Sequence, residues 1–184
     1  MTKNNAINDF HEILPSWNQD FVCYTDGGCL GNPGPCGAGI SLHFPGGRTE
    51  LRYGPLGFGT NNIGELYALA AAIKWVGELN DDDQVPLGTT IHFCTDSQYV
   101  INLLTGNAIC NSNALLVRST QDYYAALCDS LHVLLHWTPG HSGIFGNEES
   151  DRMANLATSF SFIKERLFNP FQELDSFRTH PYPG

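Results

Sequence analysis

The order of strand-like and helix-like segments between residues 21 and 160 constrains the fold more than any other feature of this sequence. Strand-like segments are short and rich in β-branched and aromatic residues, whereas helix-like segments repeat apolar residues every three or four positions. Three strand-like segments are followed by a helix, a strand, two helices, a strand and a final helix. A strand that leads into a helix and then into another strand is typical of a parallel crossover. We therefore expect an α/β fold in which helices cover the faces of a sheet.

The same patterns set the expected bounds of each segment. Aromatic and β-branched runs predict strands at 21–25, 38–44, 49–53, 89–95 and 132–137. The first three should form an antiparallel meander, since a glycine- and proline-rich turn that begins at Gly27 follows the first strand and Pro45-Gly46-Gly47 joins the next two. Apolar residues at helical spacing predict helices from Asn62 to about Gly77 and at 97–104, 113–130 and 148–160.

Length and composition indicate one folded domain. The chain has 184 residues, of which 42% are hydrophobic, enough for a single core. We expect an N-terminal extension at 1–20, the domain at 21–160 and a C-terminal appendage at 161–184. The first 20 residues contain no apolar run of the length that a signal peptide or membrane span requires, which predicts an intracellular protein, in cytoplasm or nucleus. Six cysteines without zinc-site spacing predict reduced thiols.

The charge of the chain counts against a nucleic-acid partner. Nine Lys and Arg residues face 19 Asp and Glu residues, which gives a formal charge of -10. Such a surface repels polyanions at long range. Binding depends on one face of the protein and on any bound cations, however, so the net charge alone does not decide the partner.

Several acidic residues occupy positions where carboxylates could do chemistry. Asp26 and Asp96 each follow a predicted strand, and ligand sites of open α/β sheets lie at strand ends. An Asp in the position of Asp96 could equally cap the next helix. Glu65 lies at the edge of the apolar stripe of its own helix, where an inward carboxylate needs a cation. Helical periodicity places Asp151 towards solvent, and His141 lies in a glycine-flanked loop where a histidine can titrate near neutral pH.

Five motifs in order resemble those of type 1 ribonuclease H. The motifs are Tyr-Thr-Asp-Gly-Gly at 24–28, Thr-Asn-Asn-x-x-Glu-Leu at 60–66, Thr-Asp-Ser-Gln-Tyr-Val at 95–100, Pro-Gly-His-Ser-Gly at 139–143 and Gly-Asn-Glu-x-x-Asp at 146–151. The resemblance covers roughly residues 21–160. It implies a ribonuclease H-like fold with a five-stranded mixed sheet, in which three antiparallel strands precede two parallel ones, flanked by helices.

The resemblance also implies an activity and a cofactor. Type 1 ribonucleases H are Mg²⁺-dependent endonucleases that hydrolyse the RNA strand of an RNA/DNA hybrid, leaving 5'-phosphate and 3'-hydroxyl ends. Asp26, Glu65, Asp96 and Asp151 match the four carboxylates that hold two metal ions, for which Mn²⁺ is the alternative to Mg²⁺. His141 matches a loop histidine that assists proton transfer or product release.

The expected substrate contacts follow from the same resemblance. Thr60 matches a phosphate-contacting position, and Asn111 is a candidate replacement contact; the positions that contact the minor groove are Asn32, Asn61, Asn62 and Gln98. Two departures concern basic residues. Phe58 stands where a basic residue is common, and the basic protrusion that many members carry after the helix near Ser97 is absent or neutralised.

Other interpretations of these motifs remain open. Members without the protrusion occur in reverse transcriptases, so the chain could be a free-standing monomer or a domain of a larger polyprotein. A catalytically dead binding module of the same fold is a rival, although binding alone gives no reason to keep four repelling carboxylates. An integrase or exonuclease acting on DNA is the second rival, against which the Asn61, Asn62 and Gln98 set favours a hybrid.

Overall fold

The computed structural model describes residues 8–9, 19–109, 113–161 and 177–181. Within these residues, four helices and seven strands follow one another in the order β-β-β-β-α-β-α-α-β-α-β. The strands are β1 (Asn8–Asp9), β2 (Phe21–Cys29), β3 (Gly34–His43), β4 (Thr49–Gly59), β5 (Thr90–Thr95), β6 (His132–Trp137) and β7 (Arg178–His180). The helices are α1 (Asn61–Asp81), α2 (Gln98–Leu104), α3 (Ala114–Ser130) and α4 (Phe145–Ser161).

All seven strands belong to one mixed sheet, with the order β1-β6-β5-β2-β3-β4-β7. Strands β2, β3 and β4 pair antiparallel, whereas β5 pairs parallel with both β2 and β6. These five strands are the predicted ones, in the predicted arrangement. The expected number of five is nevertheless wrong, because short strands β1 and β7 add to the two edges of the sheet. They come from the segments predicted to be an extension and an appendage.

Helices cover both faces of the sheet. The main core lies between one face and helices α1 to α3, and it includes Ile40 and Leu42 of β3 together with Leu66 and Ile73 of α1. Helix α4 packs on the other face, over β2, β3 and β4. Helix α1 buries residues around most of its circumference because the sheet contacts one side of it and α2 and α3 contact the other.

Several predicted element ends are wrong, and two of the differences have a clear physical reason. Helix α1 continues through Gly77 to Asp81, because burial of Leu79 outweighs the cost of about 1 kcal/mol for one helical glycine. Strand β2 continues past Thr25 to Cys29, because its glycine-rich end keeps pairing with β3, with Gly27 opposite Ala38. Asp26 therefore lies inside a strand rather than at its end.

The cysteines also depart from the prediction of reduced thiols. Cys29 and Cys36 face each other across the β2–β3 pair and form a disulfide, with their Cα atoms 4.0 Å apart. Cys23 and Cys94 are buried thiols, and Cys110 lies outside the described residues. None of the helices in the described part of the chain combines the length and apolar composition that a membrane span requires.

Candidate active site

Three of the predicted carboxylates meet at one end of the sheet. One carboxylate oxygen from each of Asp26, Glu65 and Asp96 lies within 4.8 Å of the other two. Asp26 comes from central strand β2, and Asp96 follows β5, which pairs parallel with β2. Glu65 comes from the first turns of α1. The predicted grouping of these side chains is present in the structure.

The close approach of Glu65 to Asp26 depends on Gly27. A Cβ atom at Gly27 would overlap the backbone of Gly64 and Glu65, so only glycine allows α1 to lie this close to β2. A glycine inside a strand often marks such an approach. Sequence reasoning missed this role because it assigned Gly27 to a turn. The signal that could have found it is the glycine directly after the candidate ligand Asp26.

Asp151 and His141 lie at the margin of the three-carboxylate group. Asp151 belongs to α4, outside the set within 4.8 Å, but its charge acts on both Asp26 and Asp96. It is half-buried, and its Oδ2 accepts a hydrogen bond from Asn155 Nδ2 at 3.1 Å. His141 is exposed in the loop between β6 and α4, with a φ of 49°, and its charge also acts on Asp26 and Asp96.

Helix α4 reaches the site through another close contact with the sheet. A Cβ atom at Gly39 of β3 would overlap the backbone of Ser150 and Ala154, which flank Asp151 on α4. The absence of a side chain at Gly39 therefore sets the distance between the sheet and the helix that carries the fourth acid. Periodicity had placed Asp151 towards solvent, whereas in the structure its charge acts on Asp26 and Asp96.

The electrostatics of the group are those of crowded, partly desolvated acids. Burial, followed by the charges of Asp96 and Asp151, raises the pKa of Asp26 to about 7. Burial and then the charges of Asp26 and Asp96 raise the pKa of Glu65 well above its ordinary value. Burial also raises the pKa of Asp96. Without a cation, the group therefore retains protons that isolated carboxyl groups would release.

The donor set fits a divalent metal ion. All the close oxygens belong to carboxylates, which are the hard ligands that such ions prefer. Glu65 Oε2 is buried and has no hydrogen-bond partner among the described residues. An unpartnered buried oxygen is unfavourable by itself, and a bound cation would satisfy it.

The raised pKa of Asp26 predicts that the metal-free protein loses stability as pH rises. The unfolded chain releases this proton near pH 3.8, whereas the folded protein holds it to about pH 7. Between these values the folded state binds more protons, so the free energy of unfolding should fall with rising pH. Asp26→Asn should flatten this slope, measured by urea unfolding with chelator at pH 4, 5.5 and 7. The exposed control Asp122→Asn should keep it, and an unchanged slope in Asp26→Asn would contradict the account.

Four of the predicted substrate-contacting residues lie around the start of α1, the helix that carries Glu65. Asn32 is exposed in the turn between β2 and β3, and its Oδ1 accepts a hydrogen bond from the Asn61 backbone N–H at 3.3 Å. Asn61 and Asn62 are exposed in the first turn of α1, directly after Thr60. The structure therefore joins the β2–β3 turn to the start of the helix that carries Glu65.

Gln98 is also exposed near the site. It is the first residue of α2, two residues after Asp96, and its Nε2 donates to Asn102 Oδ1 at 3.4 Å. Asn111 lies outside the described residues. The aromatic Phe58, at the position where a basic residue was expected, is 68% exposed and therefore available to a ligand.

Solved structures share this architecture. RNase H1 from the halophilic archaeon Halobacterium salinarum has a TM-score of 0.58 and 27% identity, covering 76% of this chain and 98% of that protein. LC11-RNase H1, isolated from compost, in its complex with an RNA/DNA hybrid has a TM-score of 0.60 and 21% identity, covering 78% and 99%. At 21% identity, the likeness to LC11-RNase H1 shows a shared fold only. Fold and site together define a mixed α/β protein of the ribonuclease H-like class.

Sequence comparisons give the family within that class. The RNase H family model matches residues 18–159. Ribonuclease H of Nitrosomonas eutropha is 37% identical over 145 residues, covering 72% of this chain and 85% of the relative. Ribonuclease HI of Pasteurella multocida is 31% identical over 157 residues, covering 80% and 95%. The chain belongs to the type 1 RNase H family of hydrolases.

Proposed function

We propose that the protein is an endonuclease that hydrolyses the RNA strand of RNA/DNA hybrids with two Mg²⁺ ions, leaving 5'-phosphate and 3'-hydroxyl ends. The observation that carries the proposal is the meeting of Asp26, Glu65 and Asp96, with oxygens within 4.8 Å of one another, in a member of this family. LC11-RNase H1, which shares the fold, was solved in complex with an RNA/DNA hybrid. The unit that carries the activity is residues 21–160.

In this proposal the four acids hold the ions and the surrounding residues hold the substrate. Asp26, Glu65, Asp96 and Asp151 are the metal ligands. Divalent ions held by these residues would supply positive charge at the phosphate and would activate water. They also bring positive charge to a protein with a formal charge of -10, which removes the objection that its acidity raises against a polyanion.

The neutral amides beside the site give a physical basis for the choice of a hybrid. Amide groups can hydrogen-bond to 2'-hydroxyls and base edges across a wide, shallow minor groove. Asn61 and Asn62 are exposed at the start of α1, and Asn32 is hydrogen-bonded to the same turn. We assign these three residues and Gln98 to groove contacts, and Thr60 to a phosphate contact. Asn111 stays a prediction.

His141 should assist the reaction without being essential to it. The residue is exposed, and its charge reaches Asp26 and Asp96 from a loop rather than from the carboxylate group itself. General acid or base assistance contributes about 10² to 10⁴-fold to a rate, so His141→Ala should retain measurable metal-dependent turnover. Single-turnover cleavage of labelled hybrid measures this loss. A rate equal to that of the original protein would remove His141 from the mechanism.

Hybrid binding should be weak and should depend little on salt. The chain has only nine Lys and Arg residues with which to displace counterions from a duplex. We expect a shallow slope of log affinity against log salt between 50 and 200 mM, measured by fluorescence anisotropy with Asp96→Asn protein and Mg²⁺. A decrease of about 10³-fold, which 6 to 10 phosphate contacts would produce, would contradict this expectation.

One experiment separates the proposed function from its rivals. The purified protein is incubated with labelled RNA/DNA hybrid, double-stranded DNA and double-stranded RNA, each with Mg²⁺, with Mn²⁺ or with chelator. We expect internal cuts in the RNA strand of the hybrid that require metal. Cleavage of DNA would favour an integrase-like or exonuclease-like enzyme, and binding without any cleavage would favour a catalytically dead module.

A further inference from the structure

Trp137 lies at the carboxyl end of β6, beside the carboxylate group. Its register partner in the parallel β5–β6 pair is Thr95, the residue that precedes Asp96. Its side chain is 42% exposed, whereas Val133 and Leu135 of the same strand are buried. The indole Nε1–H of Trp137 donates a hydrogen bond to the backbone carbonyl of Asp96 at 3.0 Å. A partly exposed side chain therefore contacts the backbone of a candidate metal ligand.

The hydrogen bond from Trp137 holds one side of a single peptide group. Asp96 and Ser97 form the two-residue link between β5 and α2, and the peptide that joins them contains the Asp96 carbonyl and the Ser97 N–H. The Ser97 N–H donates to Thr95 Oγ1 at 3.1 Å. Both polar groups of this peptide are thus bound by side chains, one from β5 and one from β6. A peptide group whose carbonyl and N–H are both hydrogen-bonded has a fixed orientation.

The segment after Trp137 contacts Asp96 as well. The Thr138 N–H donates to the Thr95 carbonyl at 2.9 Å, which extends the pairing of β5 and β6 to the position before Asp96. Gly140 lies against the carboxylate, since a Cβ atom built there would be 2.5 Å from Asp96 Oδ2. The start of the His141 loop is therefore hydrogen-bonded to the residue before Asp96 and lies against the Asp96 carboxylate.

We propose that Trp137 is a positioning residue for metal binding: its indole N–H fixes the Asp96–Ser97 peptide and so keeps the Asp96 carboxylate aimed at Asp26 and Glu65. Without this hydrogen bond the peptide can rotate, and the Cα atom of Asp96 then moves over a wider range. Ligands held less rigidly bind a metal ion more weakly, because binding must order them. The inference rests on the proposed function insofar as that function makes Asp96 a metal ligand.

The test measures metal binding without substrate. Mg²⁺ and Mn²⁺ are titrated into metal-free protein by calorimetry, for the original protein, Trp137→Phe and Tyr123→Phe. Phenylalanine retains the aromatic ring and removes the N–H. The loss of one neutral hydrogen bond should raise the Kd for Mg²⁺ about three- to tenfold. Tyr123, on α3, is 43% exposed, so Tyr123→Phe is a matched control that should leave this Kd unchanged.

Two further measurements distinguish positioning from a general effect on folding. The unfolding temperature of metal-free Trp137→Phe should stay within a few degrees of the original, while its increase on adding Mg²⁺ should be smaller. In hybrid cleavage, the Mg²⁺ concentration for half-maximal rate should rise by the same three- to tenfold factor. The rate at saturating Mg²⁺ should change much less.

A second variant covers the case in which Trp137→Phe does not fold. Incorporation of β-(3-benzothienyl)alanine at position 137 retains the bicyclic shape of tryptophan and removes only the N–H. A folded protein with either substitution and an unchanged Kd for Mg²⁺ would overturn the positioning role of Trp137. If the original protein itself bound no divalent ion, the proposed function would fail instead, so the two failures are distinguishable.

Discussion

A variant in which Asp96 is replaced by asparagine is expected to keep its fold and to lose hydrolysis of the hybrid by a factor on the order of 10³ or more, equivalent to about 4 kcal/mol of activation free energy. Asparagine has the shape of aspartate but lacks the negative charge that a metal ligand supplies. In the metal-free protein this charge is partly desolvated and lies beside Asp26 and Glu65. Its removal should therefore leave stability unchanged or slightly increased.

The measurement compares single-turnover cleavage and urea unfolding of Asp96→Asn with those of Asp122→Asn. Asp122 is exposed on α3, and its charge is not among those that shift the pKa values of Asp26, Glu65 and Asp96, so the control undergoes the same chemical change outside the site. The cleavage rate and the stability of Asp122→Asn should both match those of the original protein. A cleavage rate of Asp96→Asn within tenfold of the original would overturn the assignment of the site.

Replacement of Gly27 by alanine should destabilise the protein by about 3 kcal/mol and impair metal binding. The added methyl group would overlap the backbone of Gly64 and Glu65, and backbone atoms cannot move aside as the end of a flexible side chain can. Helix α1 would have to shift away from β2, which would carry Glu65 away from Asp26. Urea unfolding measures the loss of stability, and Mg²⁺ calorimetry measures the loss of binding.

The adjacent glycine offers a matched control. A Cβ atom built at Gly28 would have no atom within 4 Å outside its immediate chain neighbours, so Gly28→Ala should change the free energy of unfolding by no more than about 0.5 kcal/mol. Equal effects of the two substitutions would show that strand glycines matter here for a reason other than the approach of α1.

Those parts of the fold that depend on local patterns were predictable from the sequence. The central strands and all four helices follow from side-chain periodicity, and β6 has the predicted bounds 132–137. Glu65 could be singled out from residues alone, because an acid beside an apolar stripe needs a partner. Asp151 required the family resemblance, since the periodicity of one helix does not report which other elements surround it.

Features that depend on long-range pairing could not be predicted. The two-residue strand β1 and the three-residue strand β7 have too few residues to show a period, and their partners are distant in sequence. The Cys29–Cys36 disulfide follows from the register of β2 against β3, which no single-sequence pattern specifies. The bond from Trp137 to Asp96 likewise joins residues 41 positions apart.

The placement of the four acids on both sides of the sheet has a consequence for how the protein loses activity. Glu65 belongs to a helix on one face, Asp151 belongs to a helix on the other, and Asp26 lies in the central strand between them. Partial opening of either helical layer would remove a carboxylate while the rest of the molecule stayed ordered. The enzymatic rate should therefore be proportional to the fraction of molecules in which the helices on both faces are packed against the sheet. Under mild denaturant it should decline before far-UV circular dichroism records global unfolding.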